Sequence, residues 1–348
     1  MTTYNDNVRA KNVNTVPVVR QLYAVFNSIP DADLLIALKS PTGRPGYTAK
    51  VLWKTYLAMA VLNLPTFAAL IRTLQNNPLI AVACGITSGE GIPSKFAYSR
   101  FIHKLSQPDY VVMVKNVMRC LTRQLYAAIP EFGKSVAIGS TDLKAWSNGA
   151  KEPVSDKDVT WAVKPDTAGK KKYFFGYKLH LLADTQREIP IAANITTASI
   201  ADVRIASRVL SHARFTYRAF HPKFVICDAG YCSKKLRGLI KRQYRAEPII
   251  KVNPTHKKAL FVETKQRQQI YGQRTAIERV FSRLKTHRCL NSIIVRGLRK
   301  VTVHCFLSLI ITQSQALYGT TNNQMSLIQR CIFVPHEVVP ELVSSFAP

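Results

Sequence analysis

Acids are what this sequence has least of. Only 20 Asp and Glu stand against 49 Lys and Arg, a formal net charge of +29 across 348 residues and a pI near 10.1. A particle that basic repels itself and attracts polyanions, so nucleic acid is the expected partner, with an anionic membrane surface as the alternative to check. Long apolar runs are also lacking. Met1 to Ala10 is polar, so no signal peptide is expected. The best spanning candidate, Thr55 to Ile71, is at the short end and is interrupted by Asn63 and Pro65. It reads as buried helix, and no membrane partner is expected. Paired cysteines are missing too. Seven Cys without a Cys-x-x-Cys spacing argue against a disulfide framework and against a zinc site, so the expected setting is the reducing cytoplasm, on the nucleoid. No internal repeat or low-complexity block interrupts the chain. Hydrophobic residues, at 47%, are plentiful enough for a real core.

Residues 1–30 read as a polar arm followed by a short amphipathic helix. Over residues 31–132 the periodicity is helical. Val51 to Leu62, Phe67 to Leu74, Lys95 to Leu105 and Tyr110 to Ala127 carry apolar residues at three- and four-residue spacing. Pro65, Pro78, Pro93 and Pro108 fall near the predicted helix starts, where proline is tolerated. Lys95, Arg100 and Lys104 could present cations to DNA or simply form a solvated face. The texture changes at Lys134. Ser135 to Ser140 reads as a strand, Tyr173 to Ala183 as an alternating strand, and Glu188 to Thr196 as its hairpin partner. A helix follows over Ala198 to Ala213, then a strand (Lys223 to Cys227), a helix (Ser233 to Tyr244) and a strand (Pro248 to Val252). Ile270 to His287 is strongly helical, and a last apolar helix runs from Leu298 to Tyr318. This is the order of a ribonuclease-H-like α/β fold, a mixed sheet with flanking helices over residues 133–319, preceded by an all-helical amino-terminal domain. Residues 320–348 read as a peripheral tail.

Between Arg204 and Lys300 there are 24 Lys and Arg but only four acids: Asp228, Glu247, Glu263 and Glu278. A surface that only gripped phosphate would lose its acids, so each survivor is a solvated bystander, an ion-pair partner or a metal ligand. Asp228 follows the apolar strand Phe224 to Cys227 and precedes Ala229-Gly230-Tyr231. The carboxyl end of a strand is a common place for catalytic groups, and an Asp opening a turn is common as well. Tyr271, Arg274, Glu278 and Lys285 are spaced by three, four and seven, which on one helix confines them to a sector of about 60°. A glutamate there can bind a divalent cation while its basic neighbours hold phosphates. The bland alternative is an Arg274–Glu278 surface pair.

Tyr271-x2-Arg274-x3-Glu278-x6-Lys285 resembles the signature of DDE transposases from bacterial and archaeal insertion sequences. Phe174-Gly176-Tyr177-Lys178-Leu179-His180 and Asp228-Ala229-Gly230-Tyr231 resemble two further blocks of that group. Leu52 to Leu105, with Asn77-Pro78 and Pro93-Ser94, is similar to its helical amino-terminal domain. The resemblance covers roughly residues 30 to 318, and four blocks in order are specific where one would be weak. It implies an enzyme that binds terminal inverted repeats on double-stranded DNA, cleaves a strand and joins it to target DNA. It also implies a homodimer in the active complex. Two Mg²⁺ (or Mn²⁺) ions would be held by an Asp-Asp-Glu triad, with Asp228 and Glu278 as the second and third acids. Tyr271, Arg274 and Lys285 would contact DNA.

The first acid is where the sequence departs from the group. It is expected directly before a Ser-Thr pair, and in Gly139-Ser140-Thr141-Asp142 that position is glycine. Either Asp142 serves as catalytic and metal ligand through a bulge or shifted alignment, or the acid is lost. Asp142 is three residues on, which in an extended strand is the opposite face, so loss is favoured. A decayed or co-opted non-catalytic DNA-binding protein, and a ribonuclease-H-like nuclease that does not transpose, are the competing expectations. His180 reads as an inward strand residue rather than a ligand.

Overall fold

A computed structural model of the chain describes residues 17–39, 46–87, 91–149, 155–165, 170–252 and 264–330. The expected arm up to residue 16 and the tail beyond residue 330 lie outside these residues, as does Glu263.

The amino-terminal part is helical: α1 (Pro17–Asn27), α2 (Ala32–Leu38), α3 (Ala49–Val61), α4 (Phe67–Asn76), α5 (Pro78–Ala83), α6 (Lys95–Leu105) and α7 (Pro108–Ala128). The sequence dictates these starts. Thr48, Thr66 and Ser94 each accept a backbone N–H from the first turn of α3, α4 and α6, at 3.2, 3.1 and 3.3 Å. Pro78 and Pro108 occupy the first turn of α5 and α7, where the missing N–H has no cost. The apolar stretch from Thr55 to Ile71 is broken between α3 and α4, with Asn63 in the left-handed region. No helix among the described residues is long and apolar enough to cross a membrane.

The sheet has six strands: β1 (Ser135–Lys144), β2 (Thr160–Pro165), β3 (Lys171–Asp184), β4 (Pro190–Thr197), β5 (Phe224–Cys227) and β6 (Glu247–Ile250). Its order is β2-β3-β1-β5-β6, with β4 also paired to β3. The β1–β3, β2–β3 and β3–β4 pairs are antiparallel, and the β1–β5 and β5–β6 pairs are parallel. The parallel strands are joined through α8 (Asp202–Thr216) and α9 (Lys234–Tyr244), and α10 (Lys265–Gly272), α11 (Thr275–His287) and α12 (Leu298–Thr321) follow.

Three differences from the sequence reading have clear causes. First, the alternating strand is buried on both faces over its second half, because α8 covers the Lys178 side of β3; Lys178 is 7% exposed, and His180, read as inward, is 1% exposed. Second, the predicted helix Ile270 to His287 is two helices. Gln273 accepts hydrogen bonds from Ser135 Oγ (2.7 Å) and Thr185 Oγ1 (3.0 Å), pinning the junction to the start of β1. Three-residue backbone bonds, Gln273 N–H to Ile270 O and Arg274 N–H to Tyr271 O, tighten it. Third, β2 was not foreseen and α8 begins at Asp202 rather than Ala198.

α12 is buried on nearly all sides, packed against α1, α3, α6 and α7 as well as β4. Most of its buried polar side chains find partners, though Gln313 Oε1 has none among the described residues. His304 Nδ1 lies 3.2 Å from Tyr56 Oη, Gln313 donates to Thr122 Oγ1 and Pro190 O, Ser314 donates to Val25 O, and Gln315 accepts from Arg288. One hydrophobic core therefore runs from Val19 to Ile328, and the carboxy-terminal helix ties the sheet to the amino-terminal helices.

Candidate active site

Successive residues of a strand point to opposite faces, so β1 carries two different environments. Gly139 faces α11. A Cβ built there would lie 3.1 Å from both Ile277 Cγ1 and Phe281 Cε2, so the helix sits where a side chain would begin. Ser140 faces the other way and donates to Asp202 Oδ2 at 2.6 Å, on the first turn of α8.

On the α11 side, β5 ends at Asp228 beside the Gly139 level of β1, since Ile138 pairs with Cys227. The Asp228 carboxylate accepts the Gly230 N–H at 2.8 Å, capping the short 3₁₀ turn Ala229–Tyr231. Burial pushes its pKa above the ordinary carboxylate value. The Gly230 bond and Arg274 pull it down, while Asp202 and Glu278 push it up further. Arg274, at the start of α11, donates to Glu278 Oε1 at 2.6 Å. It therefore lies in the fields of both acids; burial works against its charge, but the Glu278 bond and field, then Tyr271 and Asp228, outweigh it and hold the guanidinium more firmly protonated than usual. Glu278 itself is exposed, with 58% of its side chain open to solvent.

Tyr271 is on α10 and half-buried, so it does not share one unbroken helix with Glu278. Arg274 keeps its four-residue relation to Glu278, and Lys285 lies seven residues on along α11, half-buried. The four-residue sector calculated for a single helix thus holds within α11 but not across the junction. Asp142 pairs across the sheet with Lys178, on the face that Ser140 occupies and away from Gly139. The charges acting most strongly on Asp228 are Arg274, Asp202 and Glu278.

Asp202 is the acid that sequence reasoning missed. It accepts from Ser140 and from Lys178 Nζ at 3.0 Å, and His180 Nδ1 lies 4.0 Å away. Burial works against its ionisation, but the Ser140 and Lys178 bonds outweigh it, and its pKa falls below the ordinary value. His180 also meets Thr196 Oγ1 at 2.9 Å. The only sequence signal was an Asp in the first turn of a helix, the usual place for a dipole partner.

The remaining acids of the basic stretch sort themselves. Glu247 pairs with Arg267 at 2.9 Å. Upstream, Glu188 at the β3–β4 turn takes both Arg279 and Arg283 and fastens α11 to the sheet. In the amino-terminal region Lys104 donates to Leu38 O at 2.8 Å, whereas Lys95 and Arg100 are exposed.

As a metal site the donor set is one carboxylate short. Asp228 and Glu278 share one side of the sheet, Gly139 brings no donor there, and Asp142 and Asp202 belong to the other side. Among the described residues no three His, Cys, Asp or Glu side chains lie close enough together to hold a metal ion. The residues present therefore do not fit a pair of divalent cations.

A mixed sheet with acids gathered at a strand end and on a later helix, in a strongly basic chain, defines a nucleic-acid-processing class of protein. Residues 133–313 match the family described as "Transposase DDE domain", and residues 10–104 match "Transposase domain (DUF772)". The first match spans just over half of the chain, and the chain belongs to the DDE transposase family. Members of that family generally use divalent metal ions. No curated protein matches the chain. A solved structure described as a cryo-EM structure of a piggyBac transposase synaptic complex with hairpin DNA aligns over 97% of this chain and 86% of that one. It has 10% identity and a TM-score of 0.43, and at that distance it transfers no property.

Proposed function

We propose that this chain binds the terminal inverted repeats of an insertion sequence as a transposase does, and that strand cleavage is disabled at Gly139. In this reading residues 133–319 are a ribonuclease-H-like catalytic region and residues 31–132 serve DNA binding and assembly, in a homodimer that pairs two ends. Arg274, Lys285 and Tyr271 face the phosphates, and Asp228 and Glu278 are the second and third acids of an incomplete triad. The observation that carries the proposal is the glycine at the first-acid position, so close to Ile277 and Phe281 that even a Cβ there would need them to give by a few tenths of an ångström. Arg274 meanwhile supplies the positive charge between the two acids that remain. Without the first acid, no hydrolytic step follows from these residues.

The test is to incubate the purified chain with duplex DNA carrying the inverted repeats that flank its gene, with Mg²⁺ or Mn²⁺. The expected result is specific, salt-sensitive binding, from displaced counterions, with no nicking. Metal-dependent nicking that Asp142→Ala abolishes would instead make Asp142 the first acid, and absence of any DNA binding would overturn the proposal.

A further inference from the structure

The β2–β3 hairpin stands apart from the acids and shows a surface of a different kind. β2 lies at the edge of the sheet, paired with the first half of β3. Trp161 pairs with Phe175 and Val163 with Tyr173, and the two-residue alternation brings all four side chains to one face. Trp161, Val163 and Tyr173 are 52%, 48% and 59% exposed, and Trp146, just beyond the residue that bonds Phe175 O, is 54% exposed. These are large apolar groups in water; exposed Lys171 shares their face by the same alternation, and exposed Lys157 and Lys170 flank the two strands in sequence.

The face is built to be rigid. The Trp161 and Phe175 rings lie 5.0 Å apart. The Gly149 backbone lies so close upon them that a Cβ would come within 2.8 Å of each ring, so only glycine fits. The segment leading into β2 is anchored as well. Buried Asp156 accepts from Tyr177 Oη at 2.7 Å and from Gly297 N–H at 3.0 Å, and Asp158 accepts from Leu298 N–H at 2.8 Å. The two acids of the segment are thus held at the amino end of α12, where the helix dipole favours them, leaving the lysines to set the charge of the hairpin.

We infer that this hairpin face binds unpaired bases of a DNA strand. Aromatic π-faces stack on a base of any identity, and neighbouring lysines hold the backbone phosphates. A duplex keeps its bases stacked on each other, so a fixed Trp and Tyr gain most from a strand that is frayed, flipped or single. The inference rests on the DNA-binding reading given above.

The test exploits the tryptophans. The chain has three, and Trp53 is fully buried, so exposed-tryptophan emission reports Trp146 and Trp161. A short oligothymidine should quench that emission in the full chain. Trp161→Ala and Tyr173→Ala should each weaken oligothymidine binding about tenfold with the salt slope unchanged, and Trp161→Phe should keep most of the affinity. Circular dichroism melts check that each variant folds. Wild-type oligothymidine affinity in folded Trp161→Ala would overturn the inference, as would a dimer that Trp161→Ala dissociates, which would make the face a contact between copies. Loss of oligothymidine binding by the wild type with duplex-end binding intact would sink only this inference. Failure to bind either DNA would sink the proposed function as well.

Discussion

The two sides of β1 treat negative charge in opposite ways. On the α8 side Asp202 is locked by Ser140, Lys178 and nearby His180, and its pKa is depressed. On the α11 side burial raises the pKa of Asp228, and one backbone bond and the field of Arg274 do not offset it. The first is an acid whose ionisation the fold rewards; the second is one whose ionisation the fold resists. Groups held against their own preference tend to mark sites kept for function, while matched pairs serve structure. That contrast is what the proposed function rests on when it takes Asp202 as structural and Asp228 as an acid of the site.

The sharpest break of this contrast is Asp202→Ala. It takes the charge partner from the Lys178 ammonium, whose side chain is only 9% exposed, leaving it the Ile200 carbonyl, and should cost about 3 kcal/mol in urea unfolding. Because the folded pKa of Asp202 is depressed, its contribution is present above the ordinary carboxylate pKa and is lost as pH falls through the folded value. A negligible loss would make the two sides alike. Next comes Gly139→Asp, which must displace Ile277 and Phe281 and should cost about 2 kcal/mol by overpacking. An unchanged melting curve would mean that α11 yields freely.

Asp228→Asn should act the other way. A carboxylate with a raised folded pKa costs stability when ionised, above that raised value, and costs nothing below its ordinary pKa. The variant should therefore gain about 1 kcal/mol at neutral pH and nothing near pH 3.5. A loss at neutral pH would reclassify Asp228 as structural. The smallest effect belongs to Glu278→Gln. Its pair with Arg274 is open to solvent, and losing it should cost about 0.3 to 0.5 kcal/mol.

The helices of the amino-terminal part were legible because their signals are local: apolar spacing, a Thr or Ser cap, a proline in the first turn. Asp228 and Glu278 were legible because acids are rare around them. What escaped depends on contacts across the chain. The split between α10 and α11 is made by Gln273 reaching Ser135 and Thr185, bonded neighbours at one end of the β1–β3 pair and far upstream in sequence. Asp202 lies just before the basic stretch counted from Arg204, and its partners Ser140 and Lys178 come from two strands. Lys178 stands on the polar side of the β3 alternation, and only α8 turns that face into interior. β2 carries its apolar residues for a surface rather than a core, so its alternation did not announce a buried strand.

The central claim is that Gly139 separates DNA binding from cleavage in an otherwise intact frame, and one measurement addresses it directly. Gly139→Asp combined with Ile277→Ala restores a carboxylate and removes two of the three atoms crowding it. In a nicking assay on end-containing duplex with Mn²⁺, the wild type should stay inactive. The double variant should nick in a way that a further Asp228→Ala abolishes. Nicking by the wild type, or a folded, DNA-binding double variant that never nicks, would contradict the account.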